Sequence, residues 1–228
     1  MHGNWVKEKR GMPTSHFLQL NEIVELIVYT NPLRILDVGV GFGKYGFLSR
    51  EFLELWGEEE NYCNWKRLID GVEAFPKYIT PVHNFIYNNI FIGDALKIIP
   101  QLNTEYDLVL LIDVIEHLTF EEGIELIKNC LKIGRNLIIS TPKKVWERPE
   151  SFGNPYEAHK FRWLKKHFSQ FEKKFFVPNP YSLICYIGDD APRVRKMLIK
   201  RKIGQSFPLL KKALLFFKKI FNNKKEVS

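Results

Sequence analysis

The sequence predicts an α/β fold: a mostly parallel sheet of seven strands, helices on both faces, and a C-terminal antiparallel hairpin strand. Three observations predict it. From residue 33 to about 140, short β-prone runs alternate with segments of helical spacing, the pattern of βαβ units. The run Tyr106 to Ile112 is unbroken and apolar after its first two residues, as suits a central parallel strand covered on both faces. Beyond these, Phe171 to Val177 and Ser182 to Ile187 are β-prone and separated only by Pro178-Asn179-Pro180-Tyr181, a hairpin signal.

Each element has its own local reason. Pro13-Thr14-Ser15 offers a helix start, and His16 to Ile27 follows with helical spacing before stopping near Asn31-Pro32. Strand one covers about 33–38. A glycine-dense loop, Gly39 to Gly46, leads into a helix with apolar Phe47, Leu48, Phe52 and Leu55. Residues 56–67 read as a polar loop. Its Trp56 and Trp65 either cover a ligand mouth or patch an exposed helix end. Strand two is Leu68 to Glu73, with a helix entered near Pro76 and running to about Asn84. Strand three is Ile90 to Ile92, followed by Gly93-Asp94-Ala95. After strand four, Ile124, Ile127 and Leu131 mark a helix over Phe120 to Leu131, and strand five is Asn136 to Ser140. A loop of about 15 residues, rich in Pro, Gly and charge, then precedes His159.

Bulk properties bound the class. At 228 residues the chain fits one domain whose sheet is buried on both faces, and a hydrophobic fraction of 45% is too high for a disordered chain. No apolar stretch approaches the ~18 residues of a membrane span. Residues 1–11 are polar and charged, so no secretory leader is expected. Cys63, Cys130 and Cys185 are far apart without CxxC spacing, which predicts a reduced, cytoplasmic and metal-free chain.

The net charge of +8 is unevenly placed. From Arg193 to Ser228 twelve Lys/Arg meet one acid, Glu226, so this segment carries +11 and residues 1–192 carry −3. The sequence therefore predicts a domain over 1–192, with a leader and helix at 1–32 and the core at 33–188, and a basic amphipathic tail at 193–228. Within that tail, residues 209–221 place apolar side chains on one arc and Lys211, Lys212, Lys218 and Lys219 on the other side. This suits an anionic membrane surface, so the protein is expected in the cytoplasm and peripheral to the membrane. Nucleic acid is a weaker alternative for the same charges, and a helix docked on the domain or a partner is another.

Open parallel sheets bind ligands beyond the carboxyl ends of their strands. Asp37 closes strand one, Glu73 closes strand two, Asp94 follows strand three, and Asp113 closes strand four. Acids often cap strands and helices, so one would mean little. Four in succession, with Gly39, Gly41 and Gly43 in the first loop, mark a cradle for a nucleotide-like ligand.

This set resembles the class I S-adenosylmethionine-dependent methyltransferases over roughly residues 33–188, in the branch acting on small molecules. Asp37-Val38-Gly39-Val40-Gly41-Phe42-Gly43 is similar to the family's acid-x-Gly-x-Gly-x-Gly loop, and Glu73 to its ribose-binding acid. Gly93-Asp94-Ala95 resembles the segment whose acid bonds the adenine amine. Tyr106 to Val109 and Asp113-Val114-Ile115-Glu116-His117-Leu118 resemble its strand-four motif. The resemblance implies a Rossmann-like fold, S-adenosyl-L-methionine as cofactor, and a small-molecule acceptor such as a saccharide or lipid-linked glycan. It implies cofactor contacts from Asp37, Gly39, Gly41, Gly43, Glu73, Asp94, Ala95 and Asp113.

His117 and His159 are the candidate bases, because both follow strands that open on the active face. Glu116, Tyr156 and Glu157 are candidate substrate contacts, the last two in the Gly153-Asn154-Pro155-Tyr156-Glu157-Ala158-His159 segment. No metal ligand is assigned. Other readings stay open. An RNA or protein methyltransferase recruited by the basic tail is one, and a non-catalytic cofactor-binding module is another. Gly41-Phe42-Gly43-Lys44-Tyr45-Gly46 also fits the dinucleotide pattern GxGxxG, but it starts four residues past Asp37, too late for the tight turn off the strand. Asp37 and Glu73 are 36 residues apart, longer than the ~20 of that pattern.

Overall fold

A computed structural model describes residues 14–55, 64–144 and 153–206. Seven strands form one sheet in the order β3-β2-β1-β4-β5-β7-β6. They are β1 (Arg34–Val38), β2 (Leu68–Glu73), β3 (Asn89–Ile92), β4 (Leu108–Ile112), β5 (Asn136–Pro142), β6 (Lys174–Val177) and β7 (Ser182–Gly188). The first five run parallel, and β7 pairs antiparallel with both β5 and β6. This is the predicted sheet, including the hairpin. β4 sits at its centre with every residue buried, which accounts for its unbroken apolar run. Leu36, Val109, Leu111, Ile127 and Ile139 are fully buried in the core on one face.

Strand order reverses between β1 and β4, where chain excursions from neighbouring strands part and leave a crevice. The helices, in chain order, are α1 (Leu20–Thr30), α2 (Lys44–Arg50), α3 (Pro81–Ile86), α4 (Ala95–Ile98), α5 (Phe120–Ile133) and α6 (Ala191–Ser206). α5 starts where Thr119 accepts the Glu122 N–H at 3.3 Å and the Glu122 carboxylate accepts the Thr119 N–H at 2.9 Å, a reciprocal cap.

Three local expectations are corrected. The single helix predicted from Pro76 to about Asn84 is a 3-10 turn, Pro76–Tyr78, followed separately by α3. Pro81 forces the preceding Thr80 into extended backbone (φ −130°, ψ 169°), which no continuous helix tolerates. Strand four begins at Leu108, and Tyr106 contributes only an isolated bridge to Gly134. The helix beyond Gly43 is α for two turns and then a π-turn over Glu51–Leu55. α4 was not foreseen, because four residues carry too little periodicity to register.

The chain divides into two units, Met1–Ala191 and Pro192–Ser228. The second contributes the body of α6, whose six Lys/Arg between 193 and 202 are all exposed. The amphipathic pattern expected over 209–221 lies outside the described residues, as do Cys63 and Trp56. Among the described residues, no helix is long and apolar enough to cross a membrane.

Candidate active site

A cavity of about 1230 Å³ opens beyond the carboxyl ends of β1, β2, β4 and β5. Its volume exceeds the range of about 300–1,000 Å³ typical of sites for one small ligand. It has room for a nucleoside-sized cofactor and an acceptor together.

The glycine loop forms one wall. Gly39, Gly41 and Gly43 all have positive φ (76°, 53° and 87°), and Gly39 and Gly41 line the cavity while Gly43 lies behind it. The loop is pinned from below by His83, whose buried imidazole lies 2.8 Å from the Gly41 carbonyl through Nε2. His83 is a core residue that fixes the loop.

Glu73 meets this loop from β2. Its Oε2 accepts the Gly41 N–H at 3.1 Å and its Oε1 accepts the Phe75 N–H at 2.8 Å. Each carboxylate oxygen keeps a second lone pair for a ligand hydroxyl. Burial raises the carboxyl above the usual range, opposed by those N–H bonds. On the next strand over, Asp94 caps α4 by accepting the Leu96 N–H at 3.0 Å, and both it and Ala95 line the cavity. Glu73 and Asp94 are therefore brought into one wall.

Asp37 is placed differently. It does not line the cavity but is buried beneath the loop, accepting the Tyr87 hydroxyl at 2.7 Å. Gly46 and Gly71 make room for that tyrosine, since a Cβ on either would stand 2.5 Å or 2.6 Å from the Tyr87 ring or the Val40 side chain beside it. Burial pushes the Asp37 carboxyl up to about 6, with the charge of Glu73 adding to the rise. Between its ordinary value of 3.8 and about 6, the folded chain holds a proton that the unfolded chain has lost. The stability from this group is therefore complete below the lower value and falls as pH rises through the upper. Relative to Asp37→Asn, the wild type should lose about 1 kcal/mol between pH 5 and pH 7, measured by urea unfolding at each pH. A pH-independent difference between the two chains would contradict the assignment.

Asp113 closes β4 in left-handed backbone (φ 54°), a conformation asparagine and aspartate tolerate best. Its Oδ2 accepts Gln19 Nε2 at 2.7 Å and its Oδ1 accepts the Ser140 hydroxyl at 2.9 Å. Burial raises it, offset by these bonds and by the charge of Lys44. Lys44 in turn donates to the Ser15 carbonyl at 2.8 Å. The N-terminal segment thus closes over the site, which the sequence did not signal. His16 also lines the cavity and stacks on Tyr181 with centroids 4.5 Å apart.

The far wall holds Glu116, His117, Tyr156, Glu157 and His159, all of which line the cavity as the sequence reading grouped them. Lys160 and Phe161 both donate backbone N–H to the Glu116 carbonyl, at 2.7 Å and 3.2 Å. Trp163 Nε1 donates to the Ile115 carbonyl at 2.9 Å, its ring lying against Gly123. These bonds carry the segment after β5 back onto the turn after β4 and set the His117 and His159 rings 5.0 Å apart. Buried Asn154 shapes that segment by accepting the Tyr156 N–H at 2.9 Å, and Tyr78 donates to Glu157 at 3.3 Å. Burial, then the neighbouring His159, lowers His117 to about 4. At neutral pH it is an uncharged imidazole and a weak base. Glu116 is driven well above the usual carboxylate range by burial and by the charge of Asp113.

Trp65 settles its own alternatives. It donates to the Phe85 carbonyl at 3.3 Å and lies over the Arg50 guanidinium, patching the end of α3 rather than lining the cavity.

Comparison with protein-family models and with curated proteins gives no match. Comparison with solved structures does. The N-terminal domain of EvdMO1, solved with SAH bound, is 15% identical over 76% of this chain and 82% of that one, with a TM-score of 0.52. The methyltransferase domain of bacterial CtHen1-C is 18% identical over 75% of this chain and 97% of that one, with a TM-score of 0.50. At these identities the likeness establishes the fold, which is that of the class I methyltransferases.

Proposed function

We propose that this chain is an S-adenosyl-L-methionine-dependent methyltransferase acting on a hydroxyl of a small polyhydroxylated acceptor, such as a saccharide, free or lipid-linked. The observation that carries the reading is Glu73. It is a buried carboxylate at the end of β2, fixed by two backbone N–H groups, facing the cavity beside Asp94. A forked acceptor suits two vicinal ribose hydroxyls, and Asp94 supplies an acceptor for the adenine amine. The sulfonium is cationic, and Glu73, Asp94 and Asp113 place carboxyl groups around the strand ends where it would lie.

The residues of this chain would bind the cofactor, align its methyl carbon with the acceptor and exclude water. Held by Glu73, Asp94 and the glycine loop, S-adenosyl-L-methionine would supply an electrophilic methyl group, and the far-wall residues would hold the acceptor hydroxyl in line with it, its proton passing to solvent. Alignment is the enzyme's main contribution. The saccharide reading is supported by Tyr156 and Tyr181, each about half exposed at the cavity, which offer flat apolar faces among hydrogen-bonding groups.

Calorimetry tests the cofactor half: the wild type should bind S-adenosylmethionine or its demethylated product. Glu73→Ala should weaken binding by ~10- to 150-fold, the ~1.5–3 kcal/mol of a hydrogen bond to a charged group. Binding of NAD and not of the methyl donor would overturn it. Transfer of a labelled methyl group to saccharides, with RNA and protein acceptors compared, tests the substrate class.

A further inference from the structure

Glu116, His117 and His159 are brought together from two separate loops. One ligand-capable atom from each, a carboxylate oxygen and two imidazole nitrogens, lies within 4.8 Å of the others. Ligand atoms held ~2.0–2.2 Å from one ion are at most ~4.4 Å apart, so this cluster needs only small side-chain adjustments to close on one. A second observation stands apart from that geometry. Glu116 is 1% exposed and lines the cavity, and its Oε2 makes no well-formed hydrogen bond; the buried Thr141 hydroxyl beside it is likewise without one. A buried carboxylate oxygen with only so poor a partner leaves a place for a water or an ion.

We infer that Glu116, His117 and His159 bind a divalent transition-metal ion at the far wall of the cavity. Two imidazoles with one carboxylate favour a first-row ion such as Mn²⁺, Fe²⁺, Co²⁺ or Zn²⁺ over Mg²⁺ or Ca²⁺, which take oxygen ligands. Supporting contacts of the kind such ligands need are present. His117 Nδ1 lies 3.3 Å from the Ala158 carbonyl, so an N–H there donates to it and leaves Nε2 as the ligand nitrogen. The backbone bonds from Lys160 and Phe161 to Glu116 hold His159 against the pair. The expectation of a metal-free chain rests on cysteine spacing, which does not register an adjacent Glu-His pair joined by a histidine 42 residues on.

Three protein ligands leave open positions on the ion. On the methyltransferase reading, on which this half of the inference rests, those positions take the acceptor's oxygen atoms. Coordination eases loss of the hydroxyl proton to solvent, and the oxygen then displaces the sulfur at the methyl carbon.

Cobalt(II) titration of the chelator-treated full chain tests the site, with binding of S-adenosylhomocysteine measured in parallel. The wild type should take up one Co²⁺ with a visible ligand-field spectrum, and absorption at the cobalt edge should show two imidazole ligands. His159→Ala and Glu116→Gln should each bind Co²⁺ at least ~100-fold more weakly, since even outer partners of metal ligands are worth 10–100-fold. His167→Ala, on a ring outside the cluster, should bind as the wild type does. Cobalt binding with these losses but no S-adenosylhomocysteine binding would support the metal site and remove the methyltransferase reading. Cofactor binding without cobalt uptake would overturn the metal site alone. So would unchanged cobalt affinity in either variant. Should a variant misfold, the imidazole count in the wild type decides: fewer than two overturns the site.

Discussion

Gly39→Ala is expected to weaken cofactor binding by roughly 30- to 5,000-fold, or to lower stability by the same ~2–5 kcal/mol where the loop refuses to move. Two costs combine. Gly39 has φ 76°, where a side chain adds about 1–2 kcal/mol of strain. A Cβ there would also stand 2.7 Å from Cγ2 of Val114, which forces one loop off the other at a cost of about 1–3 kcal/mol. Those loops end β1 and β4, the two strands between which the sheet order reverses, so the displacement falls in the cavity wall. Gly41 provides the comparison: φ 53°, with nothing within 4 Å of an added Cβ. Gly41→Ala should therefore cost only the strain. Adding Val114→Ala to Gly39→Ala should recover the packing share and leave the backbone share. Calorimetric affinities and melting temperatures of the four chains separate these contributions. Wild-type affinity in Gly39→Ala would mean that the loop does not touch the ligand.

How much of this was legible in the sequence follows from the range of each signal. The sheet was, because strand periodicity and the apolar run of β4 are local, and βαβ connectivity leaves few topologies. The acids at strand ends were legible as a set, since a strand end fixes where a residue lies. What a strand end does not fix is direction. Asp37 sits at the predicted place yet turns beneath the loop to Tyr87, 50 residues on, and nothing near Tyr87 announces it. Gln19 reaches Asp113 across 94 residues, and His83 reaches Gly41 across 42. Such partners are set by tertiary packing alone. The His117–His159 proximity was legible only as two loops opening on one face. The two backbone bonds that join them come from Lys160 and Phe161, and backbone bonds leave no trace in side-chain identity.

The largest loss of stability is expected from Arg50→Ala, about 3–5 kcal/mol, the cost of breaking a buried ion pair from one side. Arg50 and Glu54 meet at 2.6 Å with side chains 3% and 2% exposed. The guanidinium uses its whole fork: Nε donates to the Ile86 carbonyl at 2.9 Å, one terminal nitrogen to Arg67 at 2.8 Å, the other to Asn88 at 2.7 Å. Glu54 in turn accepts the Lys66 and Arg67 N–H groups at 2.8 Å and 3.0 Å. One side chain therefore ties the π-turn after α2 to the entry of β2 and to the exit of α3. Tyr87, which holds Asp37 under the glycine loop, lies between two residues that Arg50 grips. For a domain of this size each kcal/mol moves the melting temperature by about 2–4 °C, so the fall should be roughly 6–20 °C by circular dichroism. Arg50→Lys should recover only part of it, since an ammonium cannot satisfy carbonyl, amide and carboxylate in one plane. Arg50→Met with Glu54→Leu should cost less than Arg50→Ala alone, because no charge is left buried without its partner. A melting temperature for Arg50→Ala within about 2 °C of the wild type would show that water reaches Glu54 and that the ion pair does not hold this corner of the fold.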